Sequence, residues 1–255
     1  MIRLVNVLRR QPNMSFAEFN DYWLNEHGPK VVAAAEQLGL KRYVQLHSVT
    51  EPGGPTHDPL RGEMLEPYDG VEDYWFPDMA ALLKAETLLG ANSELFQSEQ
   101  QFVDHPASAA WISYEVPHIN PTPEDVIATN ESNIVKLFYV LNQPQAMSVA
   151  DAQFYWRVQH GPLVRQAGPQ IQTLRYIQVH ALEHEFNERL QRSRGLGQPF
   201  YGHAELWFDL SRAAKPEAKD AGVMLYEDET HFIDFSRAAI WYGKEQVLVA
   251  NQAVG

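Results

Sequence analysis

Alternating and helical patterns of apolar residues succeed one another along the chain, and the whole succession is written twice. Residues 2–9 and 135–141 are dense in β-branched and apolar side chains, as strands are. Ser15 with Glu18, and Ser148 with Asp151, have the Ser-x-x-acid spacing of a helix N-terminus. Phe16, Phe19 and Trp23 follow at helical spacing. Gly28-Pro29 and Gly161-Pro162 are expected to interrupt that helix, with a second helical run over 31–38. Residues 42–49 and 175–182 predict a second strand, and 72–76 and 204–208 a third. Residues 79–89, and a looser counterpart over 211–221, predict a helix continued by 94–103 and 224–233. Residues 109–116 and 238–243 predict the last strand of each half.

The two halves match residue by residue. Residues 2–47 align with 135–180 without a gap at an offset of 133. Tyr22-Trp23 matches Tyr155-Trp156, His27-Gly28-Pro29 matches His160-Gly161-Pro162, and Arg42-Tyr43, Gln45 and His47 match Arg175-Tyr176, Gln178 and His180. Further on, Gly70…Asp73-Tyr74-Trp75-Phe76 pairs with Gly202…Glu205-Leu206-Trp207-Phe208, and Glu99…Phe102-Val103-Asp104 with Glu229…Phe232-Ile233-Asp234. A solenoid repeats every 20–50 residues or so, so this is a duplicated domain. The division reads 1–116, a proline-containing polar linker over 117–133, and 134–255. Each half has the β-α-β-β-α-β order of a ferredoxin-like unit. The expected class is α+β, with two such repeats packed sheet to sheet as one barrel. About ten apolar side chains buried there, at about 1.5–3 kcal/mol each, would hold the halves together.

Composition narrows the function. The 255 residues carry a net charge of −13 and show no clustered basic stretch, so neither nucleic acid nor an anionic membrane surface is expected as a partner. With no cysteine, there is no disulfide, thiolate metal ligand, iron–sulfur cluster or Cys nucleophile. The chain opens directly on a strand-like pattern and has no apolar run of membrane-spanning length; a cytoplasmic location is the expectation.

Strand alternation places Tyr43, Gln45 and His47 on one face of the second strand and Val44 and Leu46 on the other; Tyr176, Gln178 and His180 repeat this. With the aliphatic residues assigned to the helices, the polar set faces the space between the sheets. Asp73 and Trp75, and Glu205 and Trp207, are expected to share that space as substrate contacts. His47 or His180 would act as general acid–base, a role that suits imidazole near neutrality. The plainer reading makes them hydrogen-bonded core groups. His27 and His160 are rival bases at a pocket mouth, or else complement the carbonyl end of a helix. The loops 50–69 and 183–201 are of lid length. His180-Ala181-Leu182-Glu183-His184 matches an inverted zinc-protease motif, but that motif needs a helix and His180 ends a predicted strand. No metal site is expected.

These motifs resemble the EthD domain family, within the dimeric α+β barrel superfamily, once per half. The resemblance rests on MS-x-A-E-F…YW…HGP, RY-x-Q-x-H, G-x-x-[DE]-x-W-F and E-x-x-F-[VI]-D. It implies a barrel, normally made from two chains and here from one, and small-molecule chemistry often without a cofactor. The leading expectation is a cofactor-independent lyase, isomerase or cyclase acting on an aromatic or polyketide-like carbonyl compound. Tyr43 or Tyr176 and Gln45 or Gln178 would hydrogen-bond an enolate or phenolate oxygen, and Trp75 or Trp207 would pack the ring. The alternatives are a cofactorless or heme-dependent monooxygenase and a non-catalytic ligand-binding accessory protein. A homodimer of the fused barrel is the expected assembly, should one form.

Overall fold

The computed structural model describes residues 1–122 and 126–250. In chain order the first half contains β1 (Ile2–Leu8), α1 (Phe16–Tyr22), α2 (Gly28–Leu38), β2 (Arg42–Ser48), β3 (Thr56–Asp58), β4 (Gly62–Met64), β5 (Gly70–Phe76), α3 (Met79–Leu89), α4 (Glu94–Glu99) and β6 (Ala109–Ile119). The second half contains β7 (Ile134–Leu141), α5 (Val149–Tyr155), α6 (Gly161–Ile171), β8 (Arg175–Ala181), α7 (Glu185–Arg194), β9 (Gly202–Asp209), α8 (Ala218–Glu229) and β10 (Ala239–Val249). The strands β1-β5-β2-β10-β7-β9-β8-β6 close into one antiparallel barrel. Each half supplies four adjacent strands, and the seams are β2–β10 and β6–β8. The last strands outrun their predicted ends. Residues 117–119, assigned to the linker by composition, lie in β6 and pair with β8.

The Gly-Pro corners do not break the helix. A π-helical turn (Trp23–His27, and again Trp156–His160) passes directly into α2 and α6, with Pro at the first turn. Proline is harmless there because a first-turn N–H has no intrahelical acceptor. The glycine permits close approach. A Cβ on Gly28 would stand 2.8 Å from Leu248 of β10, and one on Gly161 would collide with the His118 ring of β6. Each first helix is thereby seated on the other half's last strand. Ser15 caps α1 in a complete capping box, and Ser148 caps α5.

Two apolar environments result. The barrel interior holds Val5, Leu46, Val71, Trp111, Phe138, Ile177, Val179 and Trp241, drawn from both halves. Outside it, helices cover each half, and here the long β2–β5 and β8–β9 connections cross over. The β3–β4 hairpin puts Met64 into the second half's helix-side core, while α7 puts Phe186 and Leu190 into the first half's. Each connection also carries an arginine across. Arg61 pairs with Glu229 at 2.8 Å, and Arg194 pairs with Glu99. Arg61 and Arg194 stand 133 apart, so the swap is part of the duplication.

Candidate active site

Alternation identified the faces of the second strands but not their directions. The aliphatic residues Leu46, Ile177 and Val179 point into the barrel, and Tyr43, Gln45, His47, Tyr176, Gln178 and His180 point out toward the helices. Most of the barrel interior is lined by apolar side chains, and these strands turn their aliphatic side to it. Asp73, Trp75, Glu205 and Trp207 do face inward, and are therefore separated from the tyrosines and histidines by the sheet. They belong to a buried ionic plug at one end of the barrel. Arg3 bonds Asp73 at 2.6 Å and Glu205 at 2.5 Å; Lys136 bonds Glu205 at 2.7 Å. Trp75 donates to Glu115 and Trp207 to Glu245, each at 2.8 Å. Burial opposes the Glu205 charge, but Arg3 and Lys136 hold its carboxyl well below the usual range. Two cations and several carboxylates satisfy one another there, which leaves those groups committed to each other.

The helix side of the second half contains a small, partly enclosed cavity of about 60 Å³. Its apolar walls include Leu141, Val164, Leu206, Leu225 and Phe232; its polar groups are His160, Tyr176, Tyr139 and Glu229. His160 Nδ1 lies 2.7 Å from Asp228 Oδ2, and Tyr155 donates to the other Asp228 oxygen at 2.9 Å. Burial would raise the Asp228 pKa, but the hydrogen bonds from His160 and Tyr155 hold it below the usual value. An ionised Asp228 fixes the Nδ1–H tautomer and leaves the Nε2 lone pair for the cavity. Among the described residues, Nε2 makes no hydrogen bond.

Tyr176 is prepared in the opposite sense. Its oxygen accepts from Gln178 Nε2 at 2.9 Å and Trp156 Nε1 at 3.2 Å, so its own proton lacks an acceptor among the described residues. Burial, foremost, raises its pKa well above that of a free phenol. The Tyr139 hydroxyl is buried without a partner and is likewise held neutral by burial. The cavity thus joins one oriented imidazole to two tyrosine hydroxyls that burial keeps protonated.

His180 stands behind this set. Its Nε2 lies 3.0 Å from Gln178 Oε1, its ring packs 4.5 Å from Trp156, and burial lowers its pKa to about 3. It fixes the Gln178 amide, which in turn orients Tyr176. His47 stands similarly behind Gln45 at 3.0 Å, with Asn20 at 2.6 Å on its other nitrogen, and burial lowers its pKa to about 4. Neither lines the cavity.

The first half replaces the cavity with a carboxylate. Glu72 occupies the register of Ala204: it faces Asn6 and Gln45, where Ala204 faces Tyr139 and Gln178. Tyr43 donates to Glu72 at 2.5 Å, Trp23 donates to it at 3.3 Å, and His27 Nε2 lies 3.3 Å away. The counterpart of Asp228 is Ser98, which accepts from Lys30 at 3.1 Å and is too short to hold His27.

The family model for the EthD domain matches residues 11–106 and again 144–236. The chain belongs to the EthD domain family. It consists of two fused copies, consistent with the repeat. A solved structure described as a "Crystal structure study of anthrone oxidase-like protein" matches this EthD protein with a TM-score of 0.60 at 10% identity, covering 100% of this chain and 96% of that one. At that identity the likeness is one of fold. No curated protein matches. Among the described residues, no helix is long and apolar enough to cross a membrane.

Of the twelve site residues expected from sequence, the structure therefore brings His160 and Tyr176 into one cavity, with Gln178 and His180 behind them. Reasoning from sequence missed Asp228, Glu72 and the crossing arginines, and reached Tyr139 only as an exchange that breaks the symmetry of the halves near the cavity. Two signals were available: Asn6 is exchanged for Tyr139 within the repeat, and Glu99 is retained as Glu229.

Proposed function

We propose that this EthD protein is a cofactor-independent enzyme that moves a proton on an aromatic or polyketide-like carbonyl compound, as a lyase, isomerase or cyclase, and that its second half holds the active site. The observation that carries this reading is the His160–Asp228 pair facing the free hydroxyl protons of Tyr176 and Tyr139 across one cavity. His160 Nε2 takes a proton from carbon next to the carbonyl. The C–H electron pair delocalises onto the carbonyl oxygen, which accepts hydrogen bonds from Tyr176 and Tyr139. The imidazolium, stabilised by Asp228, then returns the proton to another atom or to a leaving hydroxyl. Gln178 and His180 are positioning residues. We read each half as a ferredoxin-like unit, with the chemistry on the helix side of its sheet.

A cavity of about 60 Å³ is smaller than the roughly 300 Å³ and more that pockets for drug-sized ligands offer. Substrate entry requires the wall to open, and an outer groove of about 680 Å³ adjoins it, sharing Ile233 and lined by Arg61, Tyr226 and Phe235.

The test is a panel of enolisable aryl ketones and β-dicarbonyl compounds in D₂O, followed by NMR for exchange of the α-proton. His160→Gln is expected to slow exchange about 100- to 10,000-fold. Exchange that persists at the parent rate in this variant rejects the assignment. The structural neighbour's title favours a second reading, an oxygenase, for which the same panel would consume O₂.

A further inference from the structure

We propose that the first half contains a site for a divalent transition-metal cation, formed by His27, Glu72 and Glu99. One ligand atom from each lies within 4.8 Å of the others, and all three side chains are buried. A nitrogen and two carboxylate oxygens at that spacing suit Zn²⁺ or Mn²⁺.

The second, independent observation is that two of the three side chains, His27 and Glu72, carry buried polar atoms without a partner, while Glu99 is held by Arg194 and His105. His27 is 0% exposed; its Nδ1 has no hydrogen-bond partner, its Nε2 has only Glu72 Oε1 at 3.3 Å, and Glu72 Oε2 has none. Buried polar atoms without partners cost about 1–3 kcal/mol each, so an imidazole nitrogen and a carboxylate oxygen left over side by side point to a missing partner. The supporting groups are already in position. Tyr43 and Trp23 hold the other Glu72 oxygen, and His105 lies 3.3 Å from Glu99 Oε2. Outer hydrogen bonds of this kind orient carboxylate ligands.

Charge points the same way. Arg194, carried across on α7, is the guanidinium that bonds Glu99, and it faces two buried carboxylates. A divalent cation would neutralise both carboxylates by itself, and would therefore compete with Arg194 for Glu99. The second half lacks this capacity because Ala204 stands where Glu72 supplies an oxygen.

The experiment uses the full-length chain, stripped with EDTA and dialysed against Zn²⁺ or Mn²⁺, with bound metal measured by mass spectrometry. Co²⁺ loading supplies a visible absorption band from the same site. One equivalent of metal per chain is expected, lost in Glu72→Gln and in His27→Gln. Arg194→Met is expected to half-saturate at a lower metal concentration than the parent, a gain that a misfolded protein would not show. The proposal is overturned if the parent binds neither ion, if Glu72→Gln and His27→Gln keep the equivalent, or if Arg194→Met binds no more tightly than the parent.

Discussion

The two helix-side chambers are built from matching residues, and two exchanges turn them in different directions. In the first half Asn6 and Glu72 face each other across the sheet; in the second Tyr139 and Ala204 do. Glu72 accepts a hydrogen bond from Tyr43 at 2.5 Å, whereas Ala204 leaves the corresponding Tyr176 hydroxyl without an acceptor and opens the space in front of it. Asp228 then converts His160 from a buried imidazole into an oriented one, a service that Ser98 cannot give His27. Duplication preserved the frame, and a few substitutions changed which polar groups meet in each chamber.

The strongest way to break this contrast is to write the first half's acid into the second. Ala204→Glu fills the cavity and offers Tyr176 a carboxylate, so α-proton exchange is expected to fall by at least about 100-fold, the lower range for losing a positioned acid–base group. Circular dichroism and the thermal midpoint check that the fold is kept. A variant that folds and exchanges at the parent rate would remove the cavity from the reaction. Conversely, Glu72→Ala leaves Tyr43 and Trp23 without their acceptor and Arg194 with one carboxylate fewer. Breaking a buried charge network in this way costs about 3–5 kcal/mol. Urea unfolding reads that loss, and a destabilisation under about 1 kcal/mol would show Glu72 to be dispensable.

A smaller effect is expected at the crossover. Arg61 lines the outer groove and Glu229 the cavity, so their 2.8 Å pair partitions the two spaces. Arg61→Ala should let diethylpyrocarbonate reach His160 about ten times faster, as peptide mass spectrometry would record. That factor corresponds to about 1.4 kcal/mol in the opening equilibrium. The exchanged pair Arg61→Glu with Glu229→Arg should return the rate toward the parent value. Equal labelling in all three proteins would mean that access runs elsewhere.

The sequence carried the family, the strand and helix order and the duplication, because each is written in local pattern and repeated. It did not carry the direction of the faces. In an open sheet the aliphatic side of Val44 and Leu46 would belong against helices. In a closed barrel both sides are buried, and the interior takes the apolar one. That single inversion separated Asp73, Trp75, Glu205 and Trp207 from the histidines with which they had been grouped. Asp228 was illegible for another reason. It meets His160 from α8, 68 residues away, and its counterpart Ser98 carries no charge to flag the position.

The last and smallest contrast concerns acid. His203 lies in the barrel where the first half has Val71; its ring packs 4.1 Å from Phe138, and burial lowers its pKa to about 3. His47 and His180, lowered by burial to about 4 and about 3, behave alike. All three are neutral when folded, but in the unfolded chain they titrate near the ordinary value of about 6.5. Protons therefore bind the unfolded state preferentially between those limits. The stability these groups contribute is fully present above about pH 7 and falls as the pH drops through 6.5 toward 4, by at most about 1.4 kcal/mol per pH unit for each. His203→Val copies the first half and removes one such group without removing an ion-pair partner that Glu205 requires, since Arg3 and Lys136 remain. Urea midpoints between pH 6 and 5 should show a shallower loss in this variant than in the parent. An unchanged slope would mean that His203 is already protonated inside the barrel, and that the ionic plug, with Glu205 3.3 Å from its Nε2, outweighs the cost of burying it.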